Sequence, residues 1–158
     1  MEVVVTMRVT AEELYRVLMD SLKHDIEQST NSKISDKAIK TGYKYSKNLK
    51  NKVGQVVKST ATLSRIERPY VYEVQFQTDR GLNTVSYVIE ESDSENIQVT
   101  YSEVYDASSK SHATNFSFMS KIFTAPAKRK VKAFLQMMEA YILQNRSSGA
   151  IEKKEEGE

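Results

Sequence analysis

From residue 55 to residue 105 the chain repeats one pattern, an apolar–polar alternation broken only by short turns, and nothing else in the sequence limits the fold as much. Residues 70–78 show it most cleanly. Tyr70, Tyr72, Val74 and Phe76 alternate with Val71, Glu73, Gln75 and Gln77, so one set lies on each face of a strand. Val57, Ala61 and Leu63 precede them in a strand over 55–67 that stops before Pro69. Asp79-Arg80-Gly81 supplies a turn, and Val85, Tyr87 and Ile89 share a face over 82–91. After the polar turn Ser92 to Asn96, Ile97, Val99 and Tyr101 repeat the pattern over 97–105. Strands joined by turns this short pair antiparallel, as a meander.

Two other strands and two helices complete the reading. Residues 2–9 place Val3, Val5 and Met7 on one face. Thr10 followed by Glu13 is a capping box. Leu14, Leu18, Leu22 and Ile26 then recur at helical spacing, predicting a helix over 11–29. Residues 33–41 are ambiguous, with Ser35 able to cap a single turn. A strand over 43–50 carries Tyr43 and Tyr45 and ends at the turn Asn51 to Gly54. Beyond Asp106 the period becomes helical. Phe116, Met119, Ile122 and Phe123 fit a first piece, and Pro126 marks the start of a second near Thr124 or Ala125. Val131, Phe134, Leu135, Met138 and Ile142 form its stripe. Residues 147–158, rich in Ser, Gly, Glu and Lys, read as a disordered tail.

The expected class is α+β, one domain over 1–146. An antiparallel sheet of about six strands wraps on a long C-terminal helix, the helix-grip arrangement. A chain of 158 residues suits a single domain that needs no staple. Cysteine is absent, which excludes disulfides, thiolate metal sites and a cysteine nucleophile. The N-terminal segment lacks the basic leader and apolar run of a signal peptide, and no stretch reaches the ~20 apolar residues of a membrane span. A cytoplasmic location is expected by default. A net charge of +2 gives no reason to expect nucleic acid as a partner. Nothing in the residues indicates an oligomeric state.

Four segments carry a resemblance to known proteins: Asp25-Ile26-Glu27, Arg80-Gly81-Leu82-Asn83-Thr84-Val85-Ser86-Tyr87, Thr100-Tyr101-Ser102-Glu103 and Lys128-Arg129-Lys130. With the element order over residues 1–145, they make the chain similar to START-like (SRPBCC, polyketide-cyclase-like) domains. More closely it resembles a bacterial family of such domains of unknown function. The superfamily implies an apolar cavity between sheet and helix, used for lipids, hormones or polyketides and sometimes for catalysis.

The walls of such a cavity would be Tyr72, Val74, Phe76, Val85, Tyr87, Ile89, Val99 and Tyr101 on the sheet. Phe123, Phe134, Met138 and Tyr141 would lie opposite. The same residues also read as an ordinary packed core with each hydroxyl hydrogen-bonded. Asp20, His24 and Glu27 share a helix face that could ligate a metal, but such a face is ordinarily solvated, and no metal or cofactor is expected. His112 falls in a polar loop. Arg80 and Glu103 would make a perturbed site if buried as a pair, but they read first as a turn residue and an outward-facing strand charge. Lys128, Arg129, Lys130 and Lys132 form a basic run at a helix start. There the helix dipole disfavours cations, so the run hints at an anionic contact, although charge runs are usually solvated faces.

The leading expectation is a binding module for a small apolar molecule. The alternative is an interaction or regulatory protein that works through the basic run without a ligand. A cyclase- or hydrolase-type enzyme comes third, because histidine, cysteine and paired carboxylates are scarce, and no catalytic residue is assigned.

Overall fold

The computed structural model describes residues 1–50, 53–107 and 125–156, the last stretch with side chains over 127–146. The elements are β1 (Glu2–Met7), α1 (Ala11–Thr30), a 3-10 turn (Asp36–Ala38), β2 (Lys44–Lys50), β3 (Val56–Glu67), β4 (Val71–Thr78), β5 (Gly81–Glu91), β6 (Ile97–Ala107) and α2 (Ala125–Glu156). The strands form one antiparallel sheet in the order β1-β6-β5-β4-β3-β2. The meander therefore runs from β2 to β6 without a crossover, and β1 closes it beside β6. The fold is the helix-grip expected from the pattern. The first helical piece, with Phe116 and Met119, lies outside the described residues, as do His112 and Phe123.

Local chemistry sets the element ends. The Thr10 hydroxyl accepts from the Glu13 N–H at 3.1 Å, and the Glu13 carboxylate accepts from the Thr10 N–H at 3.1 Å, the reciprocal bonds of a capping box. Asn31 ends α1 in the left-handed region at φ 53°, where its short polar side chain is tolerated. β5 begins at Gly81, one residue before the sequence pattern starts it. A Cβ there would collide with the Asp106 carbonyl oxygen and the Tyr105 ring on the neighbouring strand.

α1 crosses the sheet. Leu14 and Leu18 pack with Val5, Met7, Ile89, Ile97 and Val99, on β1, β6 and β5. Leu22 and Ile26 pack with Tyr45, Ala61, Leu63 and Val74, on the other half of the sheet, and with Ile39 after the 3-10 turn. Tyr72 borders both clusters. Each fully buried Leu or Ile of this kind contributes about 1.5–3 kcal/mol of apolar burial.

α2 packs on β1 and α1. Leu135, Met138 and Ile142 bury their side chains there. Two polar ties fix the contact. The Arg8 N–H donates to the Glu139 carboxylate at 2.7 Å, and the Arg146 guanidinium donates to Glu13 at 2.6 and 3.0 Å.

α1 shares the cover of the sheet with the final helix, packing on both halves of it. Two expectations are corrected here. Phe134 and Tyr141 do not join the helix's buried stripe. They sit one position before Leu135 and Ile142, about 100° round the helix, and are 46% and 56% exposed. The helix also continues to Glu156, through residues 147–156 that composition assigns to a tail. Its Ala-Ile-Glu-Lys-Lys-Glu-Glu run is made of helix formers.

Candidate functional site

Burial on the face that α1 packs against falls away along β1, β6 and β5. On β1 it goes from Met7 (0%) to Val3 (8%), and on β6 from Val99 (0%) to Tyr101 (8%) and the half-buried Glu103. On β5 the buried Ile89 gives way to the half-buried Val85 and Asn83. On β4 the trend reverses, from the exposed Tyr70 to the buried Val74 opposite Val85. α1 runs diagonally, its first half over Ile89 and Val99 and its second half over Val74, Leu63 and Ala61. Polar groups enter the face at the Asn83 end of β5 and the Glu103 end of β6.

Across the strands runs a row of tyrosines. Tyr72, Tyr87 and Tyr101 are direct cross-strand partners on β4, β5 and β6. Their rings meet edge to face, Tyr72–Tyr87 at 5.6 Å and 77°, Tyr87–Tyr101 at 5.1 Å and 72°. Such pairs add about 0.5–1.5 kcal/mol beyond the area they bury. At one end of the row is Glu103, whose carboxylate accepts from the Tyr101 hydroxyl at 3.1 Å and from the Asn83 amide at 3.0 Å. At the other end Asp25 of α1 accepts from the Tyr45 hydroxyl at 2.8 Å and from Lys47 Nζ at 2.6 Å. Lys47 also lies 5.8 Å from the centre of the Phe76 ring.

The hydroxyls of Tyr72 and Tyr87, in the middle of the row, make no hydrogen bond with any described residue. Tyr15 carries the one buried side-chain polar atom among the described residues that lacks a partner. Burial, with Glu103 nearby, pushes the Tyr87 phenol up to about 12. Burial raises Tyr72, Tyr45 and Tyr101 well above the ordinary phenol range, reinforced by neighbouring carboxylates and, at Tyr72, first by Tyr87. All four phenols hold their protons at neutral pH. Tyr45 and Tyr101 spend theirs on Asp25 and Glu103, and Tyr72 and Tyr87 keep theirs as donors, not bases.

The expected sheet walls thus share one face: Tyr72, Val74, Phe76, Val85, Tyr87, Ile89, Val99 and Tyr101. Ile89 and Val99 lie on one side of the tyrosine row, and Val74, Val85 and Phe76 on the other. Met138 packs toward β1 and α1. The reading of Glu103 as an outward-facing charge is overturned. Glu103 pairs with Val85 and stands two residues from Tyr101, so it points inward. Arg80 stays at the hairpin tip, where its carbonyl accepts from the Tyr105 hydroxyl at 2.8 Å. Lys47, Asn83 and Asp25 are site residues that reading for apolar stripes passes over. The signal was present, since Lys47 follows Tyr45 by two and Asn83 precedes Val85 by two. The segments that carry the family resemblance supply Asp25, Asn83, Tyr87, Tyr101 and Glu103.

On α1, Asp20 and His24 are exposed, and Glu27 accepts from the Ile34 N–H at 3.3 Å and pairs with Lys33 at 3.5 Å. Among the described residues no three potential metal ligands come together. Lys128, Arg129, Lys130 and Lys132 are all exposed on the first turns of α2. Among the described residues no helix is long and apolar enough to cross a membrane.

The family model described as a domain of unknown function, DUF3284, matches residues 1–124. No curated protein matches the sequence. Solved structures share the fold. A conserved protein from Geobacillus kaustophilus is 18% identical with a TM-score of 0.55, over 90% of this chain and 94% of that one. A protein of unknown function from Staphylococcus aureus is 12% identical with a TM-score of 0.55, over 94% and 96%. Norcoclaurine synthase from Thalictrum flavum, solved with dopamine and hydroxybenzaldehyde, is 8% identical with a TM-score of 0.54, over 91% and 86%. At these identities the likeness is one of fold.

Proposed function

The chain belongs to the DUF3284 family, and from that premise we propose that its concave face binds a small, mainly apolar molecule that accepts hydrogen bonds. The observation that carries this reading is the pair of Tyr72 and Tyr87 hydroxyls. They stand without partners among the described residues, between two carboxylates that are already satisfied. A ligand oxygen would give both hydroxyls a partner within an apolar face, where a hydrogen bond is worth most. The three edge-to-face rings offer an apolar wall, and Phe76 and Val85 extend it toward Asn83 and Glu103. The ligand would therefore have an apolar body and one or two acceptor atoms. That norcoclaurine synthase holds two small aromatic molecules on a similar fold agrees with this reading, but the argument rests on this chain's own residues.

Native mass spectrometry tests it. A small molecule should remain bound to the purified protein, be released on unfolding, and be held more weakly by the double variant Tyr72→Phe, Tyr87→Phe. Only the bare chain mass, together with no saturable binding of a panel of small aromatic compounds, would sink the proposal.

A second reading rests on the exposure of Lys128, Arg129, Lys130 and Lys132. In it the chain contacts an anionic partner surface through α2. Reversing all four charges should then abolish capture of that partner and leave the melting temperature unchanged.

A further inference from the structure

A groove of about 370 Å³ lies away from the tyrosine row, between α1, the 3-10 turn and the end of β3. Four cations line it, Arg16, Lys23, Lys40 and Arg68, against two carboxylates, Asp20 and Asp36. Lys23 is paired with Asp36 at 3.0 Å, and Arg68 is held by Glu12 through Nε at 2.7 Å. Arg16 and Lys40 make no ion pair with any described residue. The excess of positive charge is therefore left partly uncompensated. Met19, Ile39 and Ile66 give the groove an apolar floor.

Tyr15 forms part of the same wall. Its residue is 2% exposed, and its hydroxyl is buried without a hydrogen-bond partner among the described residues. A sealed, unpaired hydroxyl costs about 1–3 kcal/mol, so an acceptor beside it would be favourable. Arg68 is close enough to oppose the upward push of burial on the Tyr15 phenol.

We infer that this groove binds a small amphipathic carboxylate. The head accepts from the Tyr15 hydroxyl and faces Arg68 and Arg16, while the tail lies over Met19, Ile39 and Ile66. A carboxylate fits a planar guanidinium better than a spherical anion does, because it can take two parallel bonds. Part of the Arg68 fork is already used on Glu12, which holds the guanidinium in place and leaves other N–H groups available. The volume sits at the low end of ligand sites, which limits the tail to a short one. The site does not depend on the concave face.

Isothermal titration with octanoate, octanol and inorganic phosphate tests the assignment. Octanoate should bind saturably, while octanol, which lacks the charge, and phosphate, which lacks the tail, should bind at least tenfold more weakly. Tyr15→Phe and Arg16→Gln should each weaken octanoate about tenfold, the loss of one charge-assisted hydrogen bond or ion pair. Arg16 is exposed, so its variant keeps the fold even if changes at Arg68 do not. Tyr87→Phe should leave octanoate binding unchanged, which separates this site from the tyrosine row. The assignment is overturned if octanoate does not saturate at millimolar concentration, if octanol binds as tightly, or if Tyr87→Phe weakens octanoate and Tyr15→Phe does not.

Discussion

Replacing Tyr15 by Phe should stabilise the protein, which is the opposite of what most changes at a buried position do. The ring is 2% exposed, so Phe keeps nearly all of the buried apolar area. The hydroxyl is the only buried side-chain polar atom without a partner among the described residues, and leaving it there costs about 1–3 kcal/mol. Its removal leaves a gap one oxygen wide, whose lost contacts cost a few tenths of a kcal/mol. The hydroxyl's attraction to Arg68 is also lost, but that guanidinium is exposed and stays bonded to Glu12. The net gain is about 1–2 kcal/mol. For a domain of this length it corresponds to a rise of roughly 2–8 °C in melting temperature. Urea unfolding followed by far-ultraviolet circular dichroism measures it. The midpoint should rise with the m-value unchanged, since the surface exposed on unfolding is the same. If Tyr15→Phe is destabilised by 0.5 kcal/mol or more, the hydroxyl has a partner in solution and the reasoning fails. With octanoate at a hundred times its dissociation constant the wild type gains about 2.7 kcal/mol and the variant much less, so the order of stabilities should narrow or reverse.

Three further outcomes follow from the packing and the ion pairs. Leu135→Ala removes a fully buried side chain from the α2 contact with β1 and α1 and should cost about 2–5 kcal/mol by urea unfolding. Gly81→Ala puts a Cβ against the Asp106 carbonyl and the Tyr105 ring, and should cost about 1–3 kcal/mol in the same assay. Glu13 is held below the usual carboxylate range, first by the Arg146 guanidinium and then by the cap at Thr10. A carboxylate with a lowered folded pKa contributes stability above its unfolded value of about 4.3, and that contribution is lost as pH falls through the folded pKa. Glu13→Gln should therefore be less stable than wild type at pH 7, by no more than about 1 kcal/mol for so accessible a pair. The two proteins should converge below pH 4; a gap that persists at pH 2 would show that packing, not charge, is involved.

Most of the sheet could be read from period two, because parity along a strand is a local property. Parity alone puts Tyr72, Tyr87 and Tyr101 on one face, and the register makes them neighbours. The same parity puts Lys47, Asn83 and Glu103 on that face. The error on Glu103 came from treating a charge as outward by default, where its two-residue step from Tyr101 points inward. Which residues of a helix stripe reach the core is less legible. Phe134 and Leu135 are adjacent in a run that is apolar on more than one side, and only the position of β1 and α1 selects Leu135. The groove beside Tyr15 could not be read at all, since its walls come from α1, the 3-10 turn and β3.

How much of the face α1 can cover follows from lengths that the sequence does supply. α1 has 20 residues and so extends about 30 Å. Six strands at ~4.8 Å spacing make a sheet about 24 Å wide. One helix starting next to β1 is long enough to cross to β2, and the capping box at Thr10 fixes that start. β5 and β6, however, have 11 residues each and run some 36 Å. A helix about 10–12 Å across covers roughly a third of that length. The rest of an apolar face cannot stay bare in water. α2 packs chiefly on β1 and α1, and its Leu135, Met138 and Ile142 share one buried cluster with Tyr87 and Tyr101. Of the polar groups on the face, Lys47 is tied to α1 through Asp25 at 2.6 Å, while Asn83 and Glu103 bond to each other at 3.0 Å across β5 and β6. A charged side chain taken out of water without such a partner would lose its hydration uncompensated. Partners on α1 and on the neighbouring strand therefore set where polar residues can stand on this face.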